Sequence, residues 1–277
     1  MKSFLTLNQL SVSQIKILLD LAKDMKHIAQ AKNKKGPQML GRSMICMSDE
    51  KYDFTAISLA FQYLGGTVIV AENYGDILNA ARKYANYGAS IIAVKTKHEA
   101  TLKRVDEVCE CPVLNLGTET TNPIEALSTL ATLLFCFDTL EKINISMLGY
   151  EKKSYVSELI YFLNLYKANV FPFFPYDKNS FYFPEMLTFK KIEHSLSEAD
   201  VIIDLGVRSK TEREEYYSDA EGISEKLLAK TKPEIKLLGS REYCVRGKAT
   251  EYPFNLVDRQ EKDYIACCMA VIYYFFR

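Results

Sequence analysis

The sequence predicts an α/β protein built from two doubly wound parallel sheets. Short apolar runs alternate with amphipathic segments of helical length along most of the chain. Strict alternation of strand and helix is typical of right-handed crossovers and of a parallel sheet covered on both faces. The alternation restarts near residue 139, and 277 residues exceed the usual length of one domain. We therefore expect two domains, 1–138 and 139–259, with a last helix over 260–277 that returns to the first.

The first domain is predicted to begin with a capped helix. Ser11 is followed three residues later by Gln14, which is the pattern of a capping box, and apolar residues then recur at helical spacing as far as Met25. A helix is therefore expected over residues 12–29. The other predicted strands are Ser43–Met47, Thr67–Ala71, Ser90–Val94 and Pro112–Leu116, and the other predicted helices cover 54–64, 76–87, 99–108 and 123–137.

The second domain is predicted from the same alternation. Its expected strands are Ile143–Leu148, Ala168–Phe173, Asp200–Leu205 and Ile235–Leu238, with helices over 153–167 and 223–230. In the last helix one face carries the apolar residues Ile265, Cys268, Met269, Ile272 and Phe276. This face should be buried, although periodicity alone leaves open which domain covers it.

Composition and charge exclude several classes of protein. Thirty-five basic residues balance thirty-five acidic ones, so the whole chain offers no field that attracts nucleic acid or an anionic membrane. No run approaches the roughly eighteen apolar residues that cross a bilayer, and the first residues lack a signal-peptide pattern. Most of the seven cysteines lie in apolar runs, which suits reduced, buried thiols. We expect a cytoplasmic protein without nucleic-acid or membrane partners.

A metal site is not expected. Cys109 and Cys111 are close in sequence, but the chain has only three histidines and no second cysteine pair at zinc spacing. No motif for an organic cofactor was identified either. We therefore expect no metal and no cofactor.

A series of short segments in the first domain carries a family resemblance. The segments are Phe4–Leu7, Leu40–Ser43, Gln62–Gly66, Lys97–Glu99, Cys111–Asn115 and Asn122–Leu127. In order and spacing they resemble the carbamoyl phosphate domain of the aspartate and ornithine transcarbamylases, or carbamoyltransferases. The second domain is similar mainly at Leu148-Gly149 and at Ala199–Ile202. The resemblance implies two doubly wound domains, and a trimer with sites at the subunit boundaries.

The resemblance also implies where carbamoyl phosphate would bind. In the family, a Ser-Thr-Arg-Thr-Arg segment at a strand-to-helix turn holds the phosphate, with help from the helix dipole. By alignment this segment falls on Tyr52, Asp53, Phe54, Thr55 and Ala56, so only the threonine remains. At about 1.5–3 kcal/mol for each charged hydrogen bond, two lost arginines weaken binding by roughly a hundredfold to ten-thousandfold.

Other positions that bind carbamoyl phosphate in the family also lack the family's residues in this chain. Lys95 stands where the family has an arginine, so it keeps the charge but loses the bidentate fork. The family's His-Pro-x-Gln is aligned with Asn122, Pro123, Ile124 and Glu125. The loop that enters the neighbouring subunit's site in the family is shortened to 72–75. We predict a degenerate carbamoyl phosphate site with no catalytic residue.

The amino-acid site implied by the resemblance is also altered. The family's Gly-Asp segment is aligned with Gly149 and Tyr150, and its His-Cys-Leu-Pro or His-Pro-Leu-Pro segment falls near Gly239, Ser240 and Arg241. Neither segment keeps its ligands. The four residues that mark this degenerate amino-acid site are Tyr150, Gly239, Ser240 and Arg241.

Several charged or reactive residues have two interpretations. Lys51, Thr55, Arg82 and Lys95 would form a residual anion pocket near Phe54, or else Lys51 and Arg82 are solvated surface charges. His98 is an acid or base, or a cap of the helix that begins at Glu99. A structural role is favoured for Cys244, because no activating group is near it in sequence.

Three functions are compatible with these observations. The first, which we favour, is a pseudoenzyme that acts as a non-catalytic or regulatory subunit, either as a homotrimer or in a hetero-oligomer with an active transcarbamylase. The second is an active transferase whose first substrate lacks a phosphate and is recognised by Tyr52, Asp53 and Glu125, with Lys95 as the polarising donor. The third is a module that senses an amino acid or another metabolite as a small-molecule ligand in the interdomain cleft.

Overall fold

The structure, a computed structural model, describes residues 3–34, 36–71, 75–149, 154–173, 195–205, 228–239 and 253–275. Within these ranges eight strands form two four-stranded parallel sheets, which confirms the predicted fold class. The chain divides into two compact units, Met1–Ala131 with Lys262–Arg277, and Thr132–Glu261. The domain limits expected from the sequence, at residues 138 and 260, stay predictions.

The first unit is built around a parallel sheet with the strand order β2-β1-β3-β4. The strands are β1 (Ser43–Ser48), β2 (Thr67–Ala71), β3 (Ile91–Lys95) and β4 (Val113–Asn115), and the helices are α1 (Val12–Gln30), α2 (Thr55–Tyr63), α3 (Ile77–Asn86), α4 (Glu99–Val108) and α5 (Pro123–Cys136). Each of these elements was predicted from the sequence, and its ends differ from the prediction by at most one residue.

The capping box predicted at the start of α1 is present. The Ser11 hydroxyl accepts a hydrogen bond from the Gln14 backbone N–H at 3.3 Å, and the Gln14 side chain accepts one from the Ser11 N–H at 2.9 Å. Two of the N–H groups that a helix start leaves unpaired are therefore satisfied. The predicted apolar face is buried as far as Met25.

Strand β1 is the centre of the first sheet, and its two edges differ. Residues Met44–Ser48 are all buried, as expected for a strand with neighbours on both sides and helices on both faces. The edge strand β2 is different, because Ile69 and Val70 are each about half exposed. The buried centre fixes where the loop after β1 begins, and this loop carries the candidate site.

The second unit has the same arrangement, with the strand order β6-β5-β7-β8. Its elements are β5 (Asn144–Leu148), α6 (Val156–Leu165), β6 (Asn169–Phe173), β7 (Val201–Asp204) and β8 (Lys236–Gly239). The Asp200 carboxylate joins two strands, since it accepts hydrogen bonds from the Asn144 N–H at 2.9 Å and from the Lys232 ammonium at 2.7 Å. Most of the helix predicted over 223–230 lies outside the described residues.

The last helix, α7 (Val257–Phe275), packs on α1 within the first unit. The Lys26 ammonium lies 2.5 Å from the fully buried Asp263 carboxylate. Of the predicted apolar face, Cys268, Met269 and Ile272 are buried and Ile265 is partly exposed, while Phe276 lies outside the described residues; burial also extends to every residue from Ala266 to Ile272. Seven consecutive buried residues cover all sides of a helix, so α7 is enclosed rather than laid on a surface. No helix within the described ranges combines the length and apolarity that a membrane span requires.

The ion pair between α1 and α7 can be tested by substitution. We expect Lys26→Met to lower the free energy of unfolding by about 3 kcal/mol, because Asp263 would lose its ammonium partner while remaining buried. Lys23→Met, on an exposed position of the same helix, should change it by less than about 0.5 kcal/mol. Urea denaturation measures both, and equal effects of the two substitutions would contradict a special role for the pair.

Candidate functional site

The candidate site lies at the carboxyl ends of β1, β3 and β4. Ligands bind at this edge in open α/β sheets, because loops leave the strands there and helix N-termini point towards it. Ser48 at the end of β1 pairs with Lys95 at the end of β3, and Val94 pairs with Asn115 at the end of β4. The register therefore brings the sequence-predicted residues of the first unit to one edge.

A carboxylate of the chain itself caps the N-terminus of α2. Phe54 holds the N-cap position but makes no capping bond with its side chain. The preceding Asp53 provides the acceptor, since its Oδ1 takes a hydrogen bond from the Thr55 N–H at 2.9 Å and another from the Thr55 hydroxyl at 2.5 Å. The first backbone N–H of α2, at the position implied for a phosphate, is thus already bound to a negative charge.

Two aromatic rings lie beside this cap. The Tyr52 and Phe54 rings meet edge to face, with centroids 5.0 Å apart, and Phe54 is 9% exposed. The Lys95 ammonium lies 5.9 Å from the centroid of the Tyr52 ring. Two aromatic rings and a cation–π contact therefore occupy the region beside the start of α2.

The cations of this edge are matched by carboxylates. Lys95 Nζ is 3.8 Å from one oxygen of Glu50, and Lys97 Nζ is 3.4 Å from the other. Asp49 accepts a hydrogen bond from the Thr96 hydroxyl at 2.6 Å. The loop after β1 and the end of β3 carry three basic and three acidic residues, which are Lys51, Lys95, Lys97, Asp49, Glu50 and Asp53. The local charge is therefore balanced.

Lys95 and Asn122 converge over Gly117. This glycine has φ of +125°, which disfavours any residue with a Cβ, and a Cβ built on it would lie 3.3 Å from both Lys95 Nζ and Asn122 Nδ2. Asn122 Oδ1 accepts the Glu125 N–H at 3.3 Å, so the amide nitrogen of Asn122 is the group turned towards Gly117. Two hydrogen-bond donors therefore lie close to one point, a proximity that was not predicted from the sequence.

Glu125 lies in the first turn of α5 and is only 6% exposed. Its position near the helix N-terminus is favourable for a carboxylate, because the helix dipole is positive there. Asn122 caps the same helix through the hydrogen bond to the Glu125 N–H. The structure therefore places these two predicted residues together, at the start of one helix.

The loop before Asn122 is held to α4 by threonine hydroxyls. Thr118 Oγ1 accepts hydrogen bonds from the N–H groups of Thr120 and Thr121 at 3.2 and 3.0 Å, and the Thr120 hydroxyl donates to Glu99 at 2.8 Å. A hydrogen bond from Lys103, followed by the one from Thr120, lowers the pKa of Glu99 below its ordinary value of 4.5. The run of threonines after Gly117 was a signal for this loop that the sequence analysis passed over.

Some predicted residues lie elsewhere or make other contacts. Arg82 is exposed and lines a separate cavity that includes none of Lys51, Thr55 and Lys95, so of its two interpretations the four-residue anion pocket does not hold for Arg82. Lys51 is exposed. His98 holds the N-cap position of α4, but its side chain makes no capping hydrogen bond.

The predicted amino-acid site falls almost entirely on residues that the structure does not describe. Gly239 ends β8 and is buried. Tyr150, Ser240 and Arg241 lie outside the described residues, as does Cys244. Their predicted roles therefore stay predictions.

Comparison with known proteins shows one consistent similarity. Residues 2–134 match the sequence model of the family described as aspartate/ornithine carbamoyltransferase, carbamoyl-P binding domain. The aspartate carbamoyltransferase catalytic subunits of Caldicellulosiruptor bescii and Thermus thermophilus are each 24% identical to this chain, over 99% of it and 97% of the relative. These two relatives are therefore similar to the chain over nearly their whole length.

Solved structures give the same result for the fold. The ornithine carbamoyltransferase of Thermus thermophilus has a TM-score of 0.84 at 17% identity, covering 100% of this chain and 99% of that one. The catalytic subunit of M. jannaschii aspartate transcarbamoylase has a TM-score of 0.85 at 17% identity, covering 99% and 98%. At these identities the likeness establishes the fold alone.

The cap on α2 leads to a stability prediction. We expect Asp53→Ala to lower the free energy of unfolding by about 1 kcal/mol, because it removes the acceptor of the Thr55 N–H. Asp53→Asn keeps an acceptor at the same position and should stay within about 0.5 kcal/mol of the wild type. Urea denaturation at pH 7 distinguishes the two, and an equal loss in both would show that charge rather than capping is responsible.

The contacts of Glu99 lead to a pH prediction. Because its pKa is lowered in the folded protein, the stabilisation it provides is complete above about pH 4.5 and is lost as the pH falls through the lowered pKa. Thr120→Val should move the Glu99 pKa back towards 4.5, as measured by carboxyl ¹³C chemical shifts during a titration. Thr139→Val, in the loop before β5, is the matched control, and an equal shift in both variants would contradict the role of Thr120.

Proposed function

Because this chain belongs to the aspartate/ornithine carbamoyltransferase family, we propose that it is a transcarbamylase-like protein that lacks carbamoyltransferase activity and serves as a non-catalytic or regulatory subunit. The observation that carries the proposal is the Asp53 carboxylate at the N-terminus of α2. The residues of the degenerate carbamoyl phosphate site are Tyr52, Asp53, Phe54, Thr55, Ala56, Lys95, Asn122 and Glu125.

The first argument concerns the helix donors. A phosphate dianion at this turn needs the N–H groups of α2, but the Thr55 N–H and hydroxyl already donate to Asp53. Two unit charges 4 Å apart repel by about 1 kcal/mol in water and by about 4 kcal/mol near a protein surface. Asp53 is exposed, so the lower figure applies to each phosphate charge. A phosphate would have to displace this carboxylate and then remain beside it.

The second argument concerns the cations. Phe54 and Ala56 replace two arginines, and Lys95 replaces a third. The Lys95 ammonium also lies 3.8 Å from a carboxylate oxygen of Glu50 and over the Tyr52 ring. A single ammonium group that already has a carboxylate neighbour does not reproduce several bidentate guanidinium contacts. Weak binding of carbamoyl phosphate follows from both arguments.

One observation supports the alternative of an active transferase with a non-phosphate first substrate. Lys95 Nζ and Asn122 Nδ2 are directed at one point over Gly117, and two converging donors suit a carbonyl oxygen. Against it, Asp53 is exposed and bound to Thr55 instead of facing an enclosed pocket. A small carbonyl compound that raises the melting temperature of the wild type but not of Lys95→Met would favour this alternative.

The assembly and its ligands belong to the same proposal. We propose a homotrimer or a hetero-oligomer with an active transcarbamylase, and the support is that the relatives are named catalytic subunits. Sensing of an amino acid or another metabolite, and the cytoplasmic location, stay predictions from the sequence.

The absence of carbamoyl transfer can be tested directly. We expect isothermal titration of the purified protein with carbamoyl phosphate to give a Kd no tighter than about 1 mM, since the loss of two charged contacts is worth at least a hundredfold. We also expect no carbamoyl-aspartate or citrulline when aspartate or ornithine is added. Micromolar binding that is lost in Lys95→Met, or turnover by the protein alone, would overturn the proposal.

A restoration variant tests the physical reason. The combined substitutions Tyr52→Ser, Asp53→Thr, Phe54→Arg and Ala56→Arg rebuild the family's segment, and we expect them to tighten carbamoyl phosphate binding at least a hundredfold. Because Phe54 is buried, the fold of this variant is checked by circular dichroism and thermal melting. Asp53→Asn alone should give a smaller gain. A folded restoration variant with unchanged binding would show that these residues are not the cause.

A further inference from the structure

A cavity of about 510 Å³ lies between α3 and α4, separate from the site at the end of β1. Its lining includes Arg82 from the second turn of α3 and Arg104 from the second turn of α4. We propose that this cavity binds a phosphate-bearing small metabolite. The proposal goes beyond the function proposed above, because it concerns other residues and a ligand that is not transferred.

The two guanidinium groups are without partners among the described residues. Neither Arg82 nor Arg104 makes a hydrogen bond or an ion pair there. The neighbouring lysines, in contrast, have carboxylate partners. Lys103 lies 2.6 Å from Glu99, and Lys95 and Lys97 both pair with Glu50. Both side chains are exposed and line one cavity, and a bound anion would reduce the repulsion between their positive charges.

One carboxylate, that of Asp76, lines the same cavity and offsets one of the two positive charges. Asp76 is the N-cap of α3, and its two oxygens accept hydrogen bonds from the Asn79 N–H at 3.0 Å and from the Asn79 side-chain amide at 2.5 Å. Asp76 is therefore engaged with its own helix. The lining retains a net charge of +1 from two arginines and one aspartate.

The size and the donors of the cavity indicate the class of ligand. A volume of about 510 Å³ lies within the range of small-molecule sites and exceeds what a single inorganic ion fills. Guanidinium forks bind phosphate oxygens in pairs, and Thr101 adds a hydroxyl to the lining. The arrangement suits a phosphate group attached to a larger polar body, as in a phosphorylated metabolite.

The test uses pyrophosphate as the probe, with the full chain and isothermal titration at two salt concentrations. We expect the wild type to bind pyrophosphate, and Arg82→Gln and Arg104→Gln each to raise the Kd about tenfold or more. Lys83→Gln is the matched control, because Lys83 neighbours Arg82 on α3 but contacts the rings of Tyr84 and Tyr87. Lys83→Gln should leave the Kd unchanged, as should Lys95→Gln at the candidate site of α2. Melting temperatures confirm that the variants are folded.

Several outcomes would overturn the proposal. They are no binding by the wild type at millimolar pyrophosphate, an equal loss in Lys83→Gln, or a loss confined to Lys95→Gln, which would place the anion at α2. Equal affinity for citrate would contradict a phosphate ligand. A change in sedimentation mass in Arg82→Gln, without a change in binding, would show that the arginines contact another copy of the chain. Only a loss confined to Lys95→Gln also bears on the proposed function, because it would place an anion at the α2 site; the other outcomes leave that proposal unchanged.

Discussion

At the carboxyl end of β1 a helix begins, and its first N–H groups need acceptors. An external anion can satisfy them, or the chain can supply its own acceptor, and here Asp53 accepts the bond from the first of them, the Thr55 N–H. Beside this cap, Lys95 pairs with Glu50 and lies over Tyr52. The fold is shared with relatives named as carbamoyltransferases. The Asp53 cap contributes one of the negative charges that balance the positive charges at this site.

The stability of the scaffold rests on residues outside the candidate site. The buried parts of β1 and β3 pack on both faces of the sheet, and α7 is enclosed and joined to α1 by Lys26 and Asp263. The residues of the site lie in loops and first helical turns at the rim of the sheet. Substitution of these loop and first-turn residues alters charge and hydrogen bonding but leaves the core intact. The chemistry of the site can therefore change without a change of fold.

The fold was predictable from the sequence because it depends on local periodicity, whereas the site depends on pairs distant in sequence. Strict alternation predicted every strand of the first unit and the helices between them, and the Ser11 capping box was correct. The contact of Lys95 with Glu50 and the convergence over Gly117 arise from strand register, which sequence spacing does not encode. The enclosure of α7 was missed for a related reason, since apolar periodicity reports one face and not how many neighbours surround a helix.

The half-exposed edge strand β2 has a consequence for the behaviour of the protein in concentrated solution. Thr67–Ala71 contains no charged residue and no proline, the two features by which natural edge strands resist the addition of a foreign strand. Ile69 and Val70 point to opposite faces, so both sides of the edge are apolar. The strand has only five residues, which limits the backbone hydrogen bonds that an added strand gains. Within the described surface, β2 is where aggregation is expected to start.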